Sequence, residues 1–355
     1  MPISDDAARS LVEERDQLKA HLASLSARLT QLDDEVVPAL VAERDDLKGH
    51  VERLTASLEE AGERDAALAA DLAAARASYE ALRRAVGQQP PGHFFSPVPD
   101  FEAVLAEADR IWPEPKPISL AGIDLDDAGQ TALLASLDLS AGPGRRFEER
   151  NPAFGLIDGR LYAGMLRHLR PGRLVEVGSG HSTALLLDVV EATPGWEPQI
   201  TCIEPYPAVL HERLLPGDTE RITLLDERVQ DVDPAVFAGL GAGDVLFIDS
   251  THVAKVGSDV NHLVFEVIPR LADGVVVHIH DIDYPFEYRR AWVEQGRAWS
   301  EAYLVRALLI DNRRLRVLLF SSYLQAFHDE QLEQLVPGHR RNPGGSLWLD
   351  VAAPA

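Results

Sequence analysis

The chain has 355 residues, with 57 acidic against 34 basic side chains and a formal net charge of −23 at pH 7. That balance excludes partners held by a basic face, nucleic acid and anionic membrane among them, and leaves a small molecule or a neutral glycan as the expected substrate. No apolar run reaches the roughly 18 residues of a membrane span, and the opening MPISDDAARS lacks the basic and apolar regions of a signal peptide, so a cytoplasmic location is expected.

The first element is a coiled coil. Leu11, Leu18, Leu22, Leu25, Leu29, Leu32 and Val36 recur at the alternating three and four spacing of an a/d seam, with charged residues between them. After Pro38 the seam resumes in a shifted phase as Leu47, Val51, Leu54 and Leu58, then Leu68, Leu72, Tyr79, Leu82 and Val86. LVEERDQLKAHL at 11–22 returns as LVAERDDLKGHV at 40–51, an offset of 29 residues, one more than four heptads. The extra residue explains the phase slip beside Pro38, where the rod either kinks or folds back as a hairpin. So polar a helix has too little core to stand alone. Residues 1–87 are therefore expected to build a homo-oligomer, packing on the chain's own catalytic domain being the alternative.

QQPPGH at 88–93 ends the rod, and residues 88–150 read as a linker and helical cap. FEAVLAEADRIW and DAGQTALLASLDL are expected as short helices, separated by the proline-rich PEPKPISLAGIDL. In GPGRRFEERNPAFG, Arg145, Arg146 and Arg150 read as surface charges.

From residue 151 to 355 the chain alternates. RLVEVG, QITCIE, RITLLDE, DVLFID, GVVVHIH, RLRVLLF and GSLWLDVA read as strands, separated by amphipathic helical runs, the longest expected over 291–310. Such alternation demands an α/β, Rossmann-like sheet with helices on both faces, whose ligands gather at the carboxyl ends of the strands.

LVEVGSGHST at 174–183 is a strand, a glycine turn and a helix start. Gly178 and Gly180 let backbone approach a ligand, and Ser179, Ser182 and Thr183 offer hydroxyls and capping groups. Since both positions lie in a loop, substitution at Gly178 or at Glu204 is expected to leave the fold intact. A third spaced glycine and a P-loop lysine are missing, which disfavours phosphate cradling. QITCIE ends in Glu204, an acid placed to accept both hydroxyls of a ribose, while Cys202, the only cysteine, reads as a buried filler.

With DVLFIDSTH at 244–252 and GVVVHIHDIDYPFEY at 274–288, these motifs resemble a class I S-adenosylmethionine-dependent methyltransferase. The resemblance covers about residues 145–350 and leans toward the small bacterial O-methyltransferases of sugars and secondary metabolites, cephalosporin-hydroxylase-like and macrolide sugar enzymes included. It implies a seven-stranded sheet whose last strand runs antiparallel, and S-adenosyl-L-methionine as cofactor. It places Glu176 near the methionine amino group, Gln230 and Asp231 near the adenine, and Gly178, Ser179, Gly180, Ser182 and Glu204 around the rest.

Asp249, His280 and Asp281 end two adjacent strands and offer an oxygen and nitrogen donor set for Mg²⁺, Mn²⁺ or Fe²⁺. The resembled metal-dependent enzymes usually have an acid, an acid and an amide or second acid at these places. His280 departs from that pattern and leans toward a transition metal. Without metal, His280 or His252 could take the acceptor's proton, with Asp281 orienting the imidazole and Asp249 meeting the cofactor's amino group. His278 is expected on the opposite side of its strand and structural. Asp283 and Tyr284 either pack on substrate or cap the sheet. Two other functions stay open: a methyltransferase-like fold with other metal chemistry, such as hydroxylation or hydrolysis, and a coiled-coil scaffold that only binds the cofactor.

Overall fold

Strands such as VLFI and VVHI carry no polar alternation, and only a sheet covered on both faces can bury them at every position. In the computed structural model, which describes residues 5–29, 40–41, 43–52, 75–80, 89–141, 144–341 and 343–353, seven strands form one such sheet. They are β1 (Arg173–Val177), β2 (Gln199–Ile203), β3 (Ile222–Leu225), β4 (Val245–Ile248), β5 (Val276–Ile279), β6 (Leu315–Phe320) and β7 (Leu347–Val351). Their order is β3-β2-β1-β4-β5-β7-β6. The first five are parallel, and β7 runs antiparallel to both β5 and β6.

Register positions the site. Val177, Ile203, Ile248 and Ile279 stand side by side, so the residues that follow them, Gly178, Glu204, Asp249 and His280, form a row across the carboxyl edge. The order reverses between β1 and β4, the switch point at which open α/β sheets hold ligands.

The helices, numbered in chain order, begin with α1 (Asp5–Leu29), α2 (residues 43–52), α3 (residues 75–80), α4 (Phe101–Ala106), α5 (Ala108–Ile111) and α6 (Asp127–Ser136). Next come α7 (Leu156–Leu169) and α8 (His181–Ala192), which contribute Ile157, Leu161, Tyr162, Met165 and Leu166, and Leu185, Leu186, Leu187, Val189 and Val190, to the core. Then follow α9 (Ala208–Arg213), α10 (Ala235–Ala238), α11 (Asp259–His262), α12 (Arg290–Glu294), α13 (Glu301–Leu309), α14 (Ser321–Phe327) and α15 (Asp329–Leu335). No described helix is long and apolar enough to cross a membrane.

The long helix expected over 291–310 is two helices. Gly296, at φ +76°, takes the left-handed position past the end of α12. The N–H groups that open α13, those of Ser300 and Glu301, bond instead to the carbonyl of His252. Arg146 is not a surface charge: it is 8 % exposed and pairs with Asp218 at 2.7 Å and Asp188 at 2.8 Å.

The chain divides into two compact units, Met1–Ala108 with Arg290–Ala298, and Asp109–Arg289 with Trp299–Ala355. In the first, Leu22, Leu40, Leu47 and Val51 are buried together with Leu18 and Tyr79 against them, and the Tyr79 hydroxyl meets His21 at 3.1 Å. The side chains of Leu25, Leu29, Leu32, Val36, Leu54, Leu58, Leu68, Leu72, Leu82 and Val86 lie outside the described residues.

Candidate active site

β1 ends in a turn that only glycine can make. Gly178 has φ +84°, and a Cβ there would stand 1.9 Å from the carbonyl oxygen of Asp249. The glycine turn of β1 thus lies directly against the acid that ends β4. One residue pair upstream, Glu176 is fully buried between Cys202 and Phe247 of the neighbouring strands. The Thr183 hydroxyl donates to its carboxyl, and burial, helped by the charge of Asp249 and opposed by the hydroxyls of Ser182 and Thr183, pushes its pKa up to about 7. Its Oε1 has no hydrogen-bond partner.

Glu204 clasps the same turn. Its Oε2 accepts from the N–H of Ser179 at 3.2 Å, and its Oε1 from Tyr206 N–H at 2.8 Å, while the Thr183 hydroxyl accepts from Gly180 N–H at 3.1 Å. A buried acceptor without a donor, a close-approach glycine turn and a strand-end carboxylate with lone pairs to spare fit the ammonium, sulfonium and ribose of an adenosylmethionine. Gln230 and Asp231 stand on a separate turn: the Gln230 amide donates to Gly257 O at 2.8 Å, and Asp231 pairs with Arg228 at 2.7 Å.

The second cluster is built from β4, β5 and two loops. One donor atom from each of Asp249, His280 and Asp281 lies within 4.8 Å of the others. His280 Nδ1 is 3.4 Å from Asp249 and 3.6 Å from Asp281, and neither of its ring nitrogens makes a hydrogen bond although the residue is 1 % exposed. Donors bound to one ion at roughly 2.0–2.2 Å stand about 3–4 Å apart, so these residues fit a divalent metal. Aromatic rings wall the imidazole, with Phe154 at 4.9 Å between centroids.

Two further carboxylates reach the cluster, and local sequence gave no signal of either. Asp158 of α7 lies 3.4 Å from His280 Nε2, its own Oδ1 accepting from Gly345 N–H and the Ser346 hydroxyl, both at 2.9 Å. Glu301 lies 2.8 Å from Nδ1 of His252, whose Nε2 is 3.3 Å from Asp249 and 3.5 Å from Asp281.

Electrostatics follow from this crowding. Burial disfavours charge on both histidines, yet the surrounding carboxylates prevail: His280 is raised well above its ordinary value and His252 to about 10. Burial likewise opposes ionisation of Asp249, but the two imidazoles hold it well below the usual carboxylate range. Burial pushes Glu301 up, with His252 opposing.

His278 does not face away from His280. Residues two apart on a strand share a face, and the rings stand 6.3 Å apart, with His278 stacked on Trp348 at 4.0 Å. Its burial drives its pKa down, as for a neutral core histidine. Asp283 is held by Arg289 at 2.6 Å, and Tyr284 is buried against Phe320 and Tyr323, so both serve the protein's own packing.

A methyltransferase domain family matches residues 175–282, a span that contains every residue from Glu176 to Asp281 described above. An uncharacterized protein of Archaeoglobus fulgidus is 32% identical over 175 residues, which is 45% of this chain and 78% of that protein. Among solved structures, the O-methyltransferase TomG of Streptomyces achromogenes with bound S-adenosylmethionine is 15% identical, covering 65% of this chain and 92% of its own, with a TM-score of 0.38. The methyltransferase PaMTH1 of Podospora anserina with bound S-adenosylhomocysteine is 15% identical over 71% of this chain and 95% of its own, with a TM-score of 0.37.

Proposed function

This chain belongs to the class I S-adenosylmethionine-dependent methyltransferases, and from that premise we propose that it methylates a hydroxyl of a sugar, glycan or secondary metabolite. One observation carries the choice of acceptor: the turn at Gly178 touches Asp249, so the cofactor pocket adjoins a cluster of two carboxylates and two imidazoles. An aliphatic hydroxyl needs such a cluster because it is a poor nucleophile until its proton is drawn away.

In this reading Glu176, Gly178, Ser179, Gly180, Ser182 and Glu204 hold the donor, with Gln230 and Asp231 at the adenine end. Asp249, His280 and Asp281 would hold a divalent ion, which when bound supplies a Lewis acid that lowers the pKa of an acceptor hydroxyl. The imidazole leans the choice toward Mn²⁺ or Fe²⁺ over Mg²⁺. The acceptor oxygen attacks the sulfonium methyl in line; the O–C bond forms as the C–S bond breaks, giving S-adenosylhomocysteine, and the hydroxyl proton passes to an imidazole. His252 is favoured as that proton acceptor, because Glu301 engages its Nδ1 and leaves Nε2 facing the cluster; a cation held by Asp249 and Asp281 would offset the carboxylates that otherwise raise its pKa to about 10 and keep the ring protonated. The protein's main contribution is to position both reactants and exclude water.

A radiolabelled methyl-donor assay over a panel of sugars and polyketide glycosides tests the acceptor class. In the same assay Asp281→Ala is expected to lose metal and activity together while keeping its affinity for S-adenosylhomocysteine. A chelator should abolish turnover, and Mg²⁺, Mn²⁺ or Fe²⁺ should restore it to different extents. Full turnover by protein free of divalent ions would rule out the metal and leave proton abstraction to His280 or His252.

Residues 1–87 we read as a coiled-coil association element, with 88–150 as linker and cap and 151–355 as the catalytic domain. Deleting 1–87 is expected to lower the oligomeric state, read by light scattering at equal concentration, with cofactor affinity unchanged. Equal masses for both proteins would show that the rod does not drive assembly.

A further inference from the structure

The three residues that open α13 all act on His252. His252 has φ +59°, a left-handed conformation that a non-glycine residue keeps only where its surroundings over-determine it. Its carbonyl accepts from the N–H groups of Ser300 at 2.9 Å and Glu301 at 3.1 Å. The Ser300 hydroxyl accepts from Ala254 N–H at 2.9 Å, and the Trp299 ring lies 4.5 Å from the imidazole. Glu301, itself 1 % exposed, stands 2.8 Å from Nδ1. A carboxylate only accepts, so this contact places a proton on Nδ1. Nε2 is then the nitrogen that faces Asp249 and Asp281, at 3.3 and 3.5 Å.

We propose that Glu301 is a positioning residue for methyl transfer: through Nδ1 it fixes the rotation of the His252 ring, so that Nε2 stands at the edge formed by Asp249 and Asp281. Trp299 and Ser300 hold the backbone that makes this possible. This rests on His252 taking the proton as proposed above, but the orientation of the ring is testable with no acceptor present. A carboxylate serving only the N-terminus of α13 would complement the helix dipole and have no reason to touch the imidazole.

The test is nitrogen NMR of full-length protein labelled at histidine, with the His252 signals assigned by their loss in His252→Gln. The expected result is a slowly exchanging Nδ1–H shifted downfield by its charge-assisted bond. Glu301→Ala should lose that resonance and move the Nε2 signal, whereas Glu301→Gln should retain the Nδ1–H in part, its amide oxygen still accepting while its NH₂ turns to the Ser250 hydroxyl. The glutamine variant also keeps the side-chain volume, so it carries the test if the alanine variant does not fold. With an acceptor from the panel, Glu301→Ala should slow methyl transfer about a hundredfold and cost nothing more in a His252→Gln background. Unchanged His252 signals in Glu301→Ala would overturn the positioning role. Full methyl transfer by His252→Gln would overturn the proton-acceptor role instead, a failure seen in activity and not in the spectrum.

Discussion

Arg146→Met is expected to destabilise the protein by about 3–5 kcal/mol, because it removes the buried cation shared by two buried carboxylates and leaves Asp218 only the looser pairing with Arg221 at 3.7 Å. Arg146 donates to Asp218 with two nitrogens at 2.7 Å each and to Asp188 Oδ1 at 2.8 Å, and the three side chains are 3 % exposed or less. Asp188 also accepts the consecutive N–H groups of Arg145, Arg146 and Phe147 on its Oδ2, at 3.0, 3.0 and 3.1 Å. The arginine thereby ties the loop before α7 to α8 and to the turn at Asp218, and that loop carries Phe154 onto His280. Arg146→Lys should recover only part of the loss, since an ammonium cannot reproduce the planar fork. Urea unfolding measures both, and a loss below about 1 kcal/mol for the methionine variant would place the pair among the weak surface bridges.

The same pair gives a signed pH dependence. Burial disfavours the Asp218 carboxylate, but its bonds to Arg146 and to Leu215 N–H hold its pKa below the ordinary value of 3.8. A depressed folded-state pKa stabilises above the unfolded value and loses that stabilisation as the pH falls through the folded one. The wild type should therefore lose more stability between neutral pH and the region below 3.8 than Asp218→Asn does.

The row at the carboxyl edge was legible because apolar runs mark strands and the first polar or glycine residue marks where each one stops. Gly178, Glu204, Asp249 and His280 come out side by side for that reason alone. Arg146 was not legible: an arginine in a glycine- and glutamate-rich loop looks solvated until Asp188 and Asp218 arrive from other elements. Glu301 acts on a histidine 49 residues earlier, and nothing in RAWSEAY announces it beyond an acid in the first turn of a helix. His278 was misplaced by a slip in strand period, since residues two apart share a face. The break at Gly296 was hidden because the apolar pattern of α12 and α13 reads as continuous across it.

Gly178→Val and Glu204→Ala should part company, although both stand in the same pocket. At Gly178 the new Cβ would meet the Asp249 carbonyl oxygen at 1.9 Å, backbone that cannot swing aside, and a β-branched residue would have to hold φ +84°. Strain and overpacking together put the cost on the order of 3–5 kcal/mol, so the expectation that a loop position tolerates this change fails on geometry. Glu204 is half-buried and its carboxylate caps two N–H groups, those of Ser179 and Tyr206. Its removal frees those groups to water for about 1 kcal/mol, leaving a folded protein. What Glu204→Ala should lose is affinity: one or two charge-assisted bonds to the ribose correspond to about a 10- to 100-fold weaker Kd for S-adenosylhomocysteine. Calorimetric titration of the folded Glu204→Ala protein, beside urea unfolding of both variants, reads the contrast. Unchanged affinity in Glu204→Ala would remove the acid from the cofactor site, and wild-type stability in Gly178→Val would mean that β1 and β4 do not approach as closely at their ends as the turn requires.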